Sequence, residues 1–240
     1  MKKFLLYALA FLVLAICFSL VALTLARPTD EVKTHLAEKQ YVKDGFNAYQ
    51  LDSIKNCFSK AELIPEYKDV TLTVLAYYPD LKDIPIHFVY SHEKTTMASR
   101  PDVSSFLKGD RAYNVFINND TTFEGILLSD VPRKAQIGII AHELAHILQY
   151  ESYNTMGIVQ LGLMYMDDES KRLFERETDE RTISRGFGEY LKAWAQYSMY
   201  DSPKATQEYK EFKKRIYMNP DEIEKEMANY SCYSNPQDSL

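Results

Sequence analysis

An apolar stretch from Ile139 to Leu148 contains three ionisable side chains, His142, Glu143 and His146. The rest of the stretch is aliphatic, so a helix formed here is expected to be buried on most sides. Residues four apart on a helix share a face, so both imidazoles project from one side. Buried polar groups are costly without partners. The stretch predicts a metal ion held by two histidines, and the competing interpretation is a pair of histidines satisfied by backbone carbonyls.

The spacing of these residues indicates what the metal would do. Zinc takes imidazole nitrogens at about 2.0–2.1 Å, and a helix supplies two of them without further ordering. Glu143 follows the first histidine directly and is placed to act as a general base on a water molecule at the metal. A catalytic zinc site needs a third protein ligand and leaves the fourth position open.

The third ligand is expected at Glu175, 29 residues after His146. Glu175 and Asp179 are four residues apart, so on a helix they share a face. One can then ligate the metal while the other accepts the free ring N–H of a ligating histidine. Glu177 is a competing ligand, and a solvated face of mixed charge is the competing interpretation of the whole stretch.

The two patterns, His-Glu-Leu-Ala-His and Glu-Arg-Glu-Thr-Asp, resemble the paired HExxH and ExxxD motifs of the gluzincin metallopeptidases. They are most similar in style to minimal relatives of the CAAX prenyl protease and heat-shock membrane protease group. The resemblance implies a zincin-like fold and one Zn²⁺ per chain, held by His142, His146 and Glu175. It also implies that Glu143 is the general base and that Asp179 orients a ligating histidine.

This resemblance covers roughly residues 110–190 and departs from the group at two positions. The group usually has alanine immediately before the Asp and three residues after it, whereas this chain has Thr178 and Thr182. The close helix packing that alanines permit is therefore in question at these two threonines.

These motifs predict a zinc metalloendopeptidase that hydrolyses peptide bonds in extracytoplasmic polypeptides. Two other functions stay open: a non-catalytic, membrane-tethered binding or scaffold domain on a peptidase-like fold, and a zinc hydrolase of non-peptide amides. A pure binding module has no need of a general base, so the presence of Glu143 favours an enzyme.

Two further features of the active site can be predicted from the chain. A donor to the oxyanion of the tetrahedral intermediate is expected after the second motif. The candidates are Tyr190, Tyr197 and Arg185, with core packing as the competing role for the aromatic residues. The predicted strand at 113–118, just before the metal helix, is expected to be an edge strand that pairs with an extended substrate, unless it is an interior strand.

The N-terminus predicts where this site works. Lys2 and Lys3 precede an apolar run of 23 residues that ends at Ala26, which is long enough to span a bilayer. Residues 1–26 are therefore either a retained membrane anchor or a signal peptide cleaved near Ala26. The positive charges on the N-terminal side predict that residues 27–240 lie outside the cytoplasm.

Composition limits the remaining choices. A net charge of −6 without any basic cluster argues against nucleic acid as a partner. The segment 27–240 is long enough for a single domain, with a catalytic core expected at about 80–200. Cys57 and Cys232 could form a disulfide or stay as free thiols.

The hydrophobic pattern predicts an α+β fold with a small sheet and a mostly helical C-terminal half. Strands are expected at 84–90 and 113–118. Helices are expected at 30–50, 66–78 (where Val-Thr-Leu-Thr-Val could instead be a strand), 155–166, 169–185, 187–200, 203–217 and 220–230. The metal helix is expected to begin at Ser129–Asp130, with Pro132 in its first turn.

Overall fold

A four-stranded sheet and a helical C-terminal half form an α+β fold in the computed structural model, as the sequence predicts. The structure describes residues 42, 45–106, 111–165 and 167–233. The predicted N-terminal anchor or signal peptide lies outside the described residues, as does most of the helix predicted at 30–50. Among the helices that are described, none combines the length and the apolar character needed to cross a membrane.

The sheet is mixed, and its strands lie in the order β1-β2-β4-β3. The strands are β1 (Ala61–Glu62), β2 (Ile86–Ser91), β3 (Met97–Pro101) and β4 (Tyr113–Asn118). Strands β1, β2 and β4 run parallel, whereas β3 runs antiparallel to β4 with Ser99 opposite Val115. Alternate side chains of β4 are buried, which fixes the register of this strand against the core.

The two predicted strands are confirmed, but the role expected of the second is wrong. Strand β2 follows Pro85 and matches the strand predicted at 84–90, and β4 matches the strand predicted at 113–118. Strand β4 pairs with β2 on one side and with β3 on the other, so it is interior. The edge on this side of the sheet is β3, a strand that the sequence pattern does not predict.

The helical predictions that fall within the described residues are confirmed, with shifted ends. The helices are α1 (Ala48–Cys57), α2 (Lys68–Leu75), α3 (Val103–Phe106), α4 (Arg133–Glu151), α5 (Thr155–Met164), α6 (Asp168–Thr182), α7 (Gly188–Gln196), α8 (Gln207–Ile216) and α9 (Pro220–Met227). Helix α2 confirms the helix predicted at 66–78 and excludes the strand alternative. Single π-helical turns, Ile183–Phe187 and Tyr197–Asp201, follow α6 and α7.

Helix α4 is apolar on nearly all sides and is buried between the sheet and the other helices. It starts at Arg133 after Pro132, whereas the predicted start at Ser129–Asp130 lies in a separate 3₁₀ turn. Gly138 allows α7 to approach closely, because a Cβ there would lie 2.1 Å from the carbonyl oxygen of Tyr190. This contact packs α7 closely against α4, and the histidines face α6.

One hydrophobic cluster joins the sheet and the helices, in agreement with a single domain. Cys57 is exposed and Cys232 is half-buried, and both are free thiols. Of the two states that the sequence leaves open for these cysteines, the structure has the reduced one.

Candidate metal centre

His142, His146 and Glu175 come together where α4 packs against α6. One ligand atom from each residue lies within 4.8 Å of the other two. The Nε2 atoms of both histidines lie 3.1 Å from Oε2 of Glu175. Two imidazole nitrogens and a carboxylate oxygen directed at one point could hold a metal ion.

The centre is buried and rich in negative charge. The three residues, together with Glu143 and Asp179, are each at most 5% exposed. Burial alone would lower the pKa of His142, but hydrogen bonds with Asp179 and Glu175 outweigh burial and raise this pKa to about 10. Burial would likewise raise the pKa of Glu175, yet His146 and His142 hold it well below its usual range. The carboxylates therefore favour a cation among them, and a divalent metal would meet that demand.

Asp179 fixes the orientation of the first histidine. Its Oδ1 lies 2.8 Å from Nδ1 of His142, so Nδ1 carries the proton in the tautomer that leaves Nε2 free for a metal. Its Oδ2 accepts the backbone N–H of Met218 at 3.0 Å. One carboxylate thus joins α4, α6 and the segment after α8. The sequence predicts its hydrogen bond with a histidine but not its hydrogen bond with the backbone.

Thr178 does the same for the second histidine. Its hydroxyl oxygen lies 3.1 Å from Nδ1 of His146 and donates to Oε1 of Gln149 at 2.6 Å. Thr178 and Thr182 are fully buried in the contact between the helices, so neither threonine prevents the packing that the sequence left in question. Thr178 is therefore a hydrogen-bonding partner for a histidine that could hold a metal ion.

We expect Thr178→Val to weaken metal binding at this centre by roughly 10- to 100-fold, the usual effect of losing a partner that orients a ligating histidine. Valine keeps the shape of threonine but cannot accept the Nδ1 proton of His146. The matched control is Thr182→Val, because that hydroxyl donates to the Thr178 carbonyl at 2.8 Å and contacts no histidine. Competition with a chromogenic chelator measures the affinities, and an equal loss in both variants would contradict this role.

Glu143 faces a cavity of about 810 Å³ beside the three ligands. Its Oε2 atom is buried and has no hydrogen-bond partner among the described residues. A buried carboxylate oxygen without a donor is costly, so a hydrogen-bond donor from a molecule in the cavity would stabilise it. Strand β3 forms one wall of the cavity, and Ile158, Val159 and Leu161 of α5 form an apolar part of the lining.

The structure distinguishes between the two candidates for the third ligand. Oε2 of Glu175 faces the histidines, and its Oε1 accepts from the Tyr165 hydroxyl at 2.6 Å. Glu177 points elsewhere and accepts from Arg181 at 2.9 Å. Glu175 is therefore the carboxylate that completes the centre.

The predicted oxyanion donors are not at this site. The hydroxyls of Tyr190 and Tyr197 donate to the carbonyls of Val42 and Asp130. Arg185 donates to the Tyr77 carbonyl at 3.1 Å and to Asp80 at 2.6 Å. None of the three lines the cavity with Glu143, because the side chain of each is engaged by other partners.

Tyr217 lies where those residues were expected. It lines the cavity, and its ring centroid is 5.7 Å from that of His142. No hydrogen bond of its hydroxyl group is found within the described residues. Tyr217 and Met218 follow α8, so the site extends beyond the core expected at about 80–200. The hydrophobic pattern around Tyr217 contains no signal that could have identified it.

Comparisons of this chain with protein-family models, with curated proteins and with solved structures give no match. The functional interpretation therefore rests on the two motifs and on the geometry that they form in this structure.

Proposed function

We propose that this protein is a zinc-dependent endopeptidase of the gluzincin kind, with a zincin-like fold, acting on polypeptides outside the cytoplasm. The observation that carries the proposal is the Glu143 carboxylate, which has an unpartnered buried oxygen and faces the cavity beside the metal centre. Two histidines and one glutamate are a ligand set of catalytic zinc sites, in which the fourth position stays open. The extracytoplasmic location rests on Lys2, Lys3 and the apolar run that follows them.

The chemistry divides between the metal and the side chains around it. Bound zinc would polarise the scissile carbonyl and lower the pKa of a coordinated water to about 7. Glu143 would accept the proton of the attacking water and pass it to the leaving amine. Asp179 and Thr178 would keep the two imidazole rings oriented, with Nε2 of each towards the metal.

Tyr217 would donate a hydrogen bond to the oxyanion as the tetrahedral intermediate forms. Burial raises the pKa of its hydroxyl well above 10, and the charges of Glu175 and Glu143 raise it further. The phenol therefore stays protonated at neutral pH and keeps a proton to donate. Its ring is supported from behind by the Lys213 ammonium, which lies 4.2 Å from the ring centroid.

We expect Tyr217→Phe to lower kcat by about 100-fold, the usual cost of losing one oxyanion donor. Zinc content and KM should change little, because the hydroxyl acts mainly on the transition state. Tyr197→Phe is the matched control, since its hydroxyl donates to the Asp130 carbonyl away from the cavity. Steady-state kinetics on one peptide substrate would measure both variants, and equal losses of kcat would contradict the role of Tyr217.

Strand β3 suits the proposed substrate, an extended polypeptide. The backbones of Thr96 and Asp102 hydrogen-bond to the chain of β4 and its ends. Every second residue of a strand faces the same neighbour, so Met97 and Ser99, at the intervening odd-numbered positions, direct their N–H groups to the free edge. The Ser99 carbonyl at this edge accepts from the Tyr150 hydroxyl at 3.2 Å, which places the edge directly beside α4. Pairing with the backbone of a polypeptide here would give affinity that depends little on its sequence.

The proposal is tested by incubating the zinc-loaded chain with casein and with a peptide library, and by identifying the products by mass spectrometry. New peptide termini that disappear on addition of a chelator are the expected result. Intact peptides in the presence of one zinc ion per chain would refute the proposal and leave either a binding domain or a hydrolase of other amides. A panel of small amides would separate these two.

A further inference from the structure

The cavity that Glu143 lines adjoins a second cavity of about 580 Å³. Four residues line both cavities: Glu93, Lys94, Thr95 and Lys171. The second cavity is bounded by residues of α8 and by the segment at 122–125. These four residues mark the junction of the two cavities, and a polypeptide that extended from the metal centre into the second cavity would pass them.

Lys171 is placed at the junction by α6. It precedes Glu175 by four residues, so its side chain leaves the same face of the helix as the metal ligand. Its Nζ lies 4.8 Å from the centroid of the Phe212 ring and 5.7 Å from that of Tyr165. These two rings direct the half-buried ammonium towards the junction of the cavities.

The side chain of Lys171 has no ion pair or hydrogen bond in the described part of the chain, in contrast to the cations around it. Arg100 pairs with Glu93 at 2.6 Å, and Arg215 lies 3.4 Å from Asp168. The pairing of Glu93 with Arg100 neutralises the only carboxylate among the four residues that line both cavities. Burial lowers the pKa of Lys171, and the opposing charge of Glu175 does not fully offset this effect.

Lys94 adds a second positive charge among the residues that line both cavities. It is exposed, and the described residues contain no ion-pair partner for it. A chain with a net charge of −6 has many carboxylates that could neutralise these two lysines. Neither lysine has an ion pair in the part of the chain that the structure describes, and both line the two cavities, so an anionic group of a bound ligand would supply the missing countercharge.

We propose that Lys171, assisted by Lys94, binds a carboxylate of the polypeptide substrate at the junction of the two cavities. The proposal rests on the proposed peptidase function and adds a substrate class, polypeptides with a carboxylate a few residues from the scissile bond. That carboxylate belongs either to an acidic side chain or to the C-terminus of the substrate. The first source makes the enzyme selective for acidic segments, and the second makes it selective for peptides cut near their ends.

The test measures binding as well as cleavage. The full chain with the Glu143→Gln substitution, loaded with zinc, would be titrated into fluorescent peptides that share one sequence and carry Asp or Asn at successive positions. A second set would end in a free acid or an amide. We expect one acid member to bind about tenfold more tightly than its neutral partner, with the difference shrinking at high salt. The set that shows the preference identifies the source of the carboxylate.

Variants in the same Glu143→Gln chain assign the preference to a residue. Lys171→Met keeps most of the side-chain length and should remove the preference, whereas Lys171→Arg should retain it. Lys214→Met is the matched control, because this lysine also lies over an aromatic ring but lines neither cavity. A preference that survives in Lys171→Met would overturn the proposal and would place the carboxylate on the zinc instead.

The same peptides, incubated with the unsubstituted chain, separate the two proposals. Cleavage of acid and neutral members at equal rates, with equal binding, would refute the carboxylate site and leave the peptidase function intact. Neither cleavage nor binding of any member would refute both.

Discussion

Replacing Glu143 with Gln is expected to abolish detectable peptide hydrolysis while one zinc ion per chain stays bound. Glutamine has the shape of glutamate but cannot take the proton of the attacking water, and loss of a general base costs about 10²–10⁴-fold in rate. The metal would be held by His142, His146 and Glu175, none of which is altered. The measurements are kcat on a peptide substrate and zinc content by elemental analysis.

Two further variants make this result specific. His146→Ala should lose both the metal and the activity, because it removes a ligand. Glu177→Gln makes the same chemical change as Glu143→Gln on the neighbouring helix α6, where the side chain pairs with Arg181, and should retain both. An active Glu143→Gln enzyme would show that another residue is the base.

Removal of the metal by a strong chelator is expected to lower the melting temperature on the order of 10 °C. A ligand that binds only the folded chain at a thousand times its Kd contributes about 4 kcal/mol to the free energy of unfolding. For a domain of this size each kcal/mol corresponds to about 2–4 °C. Without the cation, the buried carboxylates Glu143, Glu175 and Asp179 also lose the charge that offsets them.

The melting experiment has its control in the His146→Ala chain, which should melt at the same temperature with and without chelator. Adding zinc back to the unsubstituted chain should restore its original melting temperature. Purified chain without stoichiometric metal and with no response to chelator or zinc would identify the cluster as an ordinary buried hydrogen-bond network.

The metal centre could be predicted from the sequence because its spacing is a property of single helices. His142 and His146 lie within one helix, as do Glu175 and Asp179, so local geometry alone places each pair on one face. What the sequence could not decide was Glu175 against Glu177, because both lie on one helix and only the packing of α4 against α6 selects between them. The packing of α4 against α6 also brings Asp179 next to His142.

Parts of the site that depend on tertiary contacts could not be predicted. Strand β3, Met-Ala-Ser-Arg-Pro, lacks β-branched residues and ends in proline, so nothing in its pattern indicates a strand. Pairing with β4 determines the strand conformation of β3, and the same pairing makes β4 an interior strand. Tyr217 is distant in sequence from both motifs and reaches the cavity through tertiary contacts, among them the hydrogen bond from the Met218 N–H to Asp179.

The two oxygens of Asp179 serve the metal ligand His142 and the backbone beside Tyr217 at the same time. A molecule bound against Tyr217 and a metal ion bound at His142 would therefore both be connected to the same carboxylate. Thermodynamic linkage makes such coupling reciprocal: the factor by which zinc tightens binding of a substrate analogue equals the factor by which the analogue tightens zinc. The protein would accordingly retain its metal most firmly when the cleft is filled, and would be most vulnerable to metal loss between turnovers.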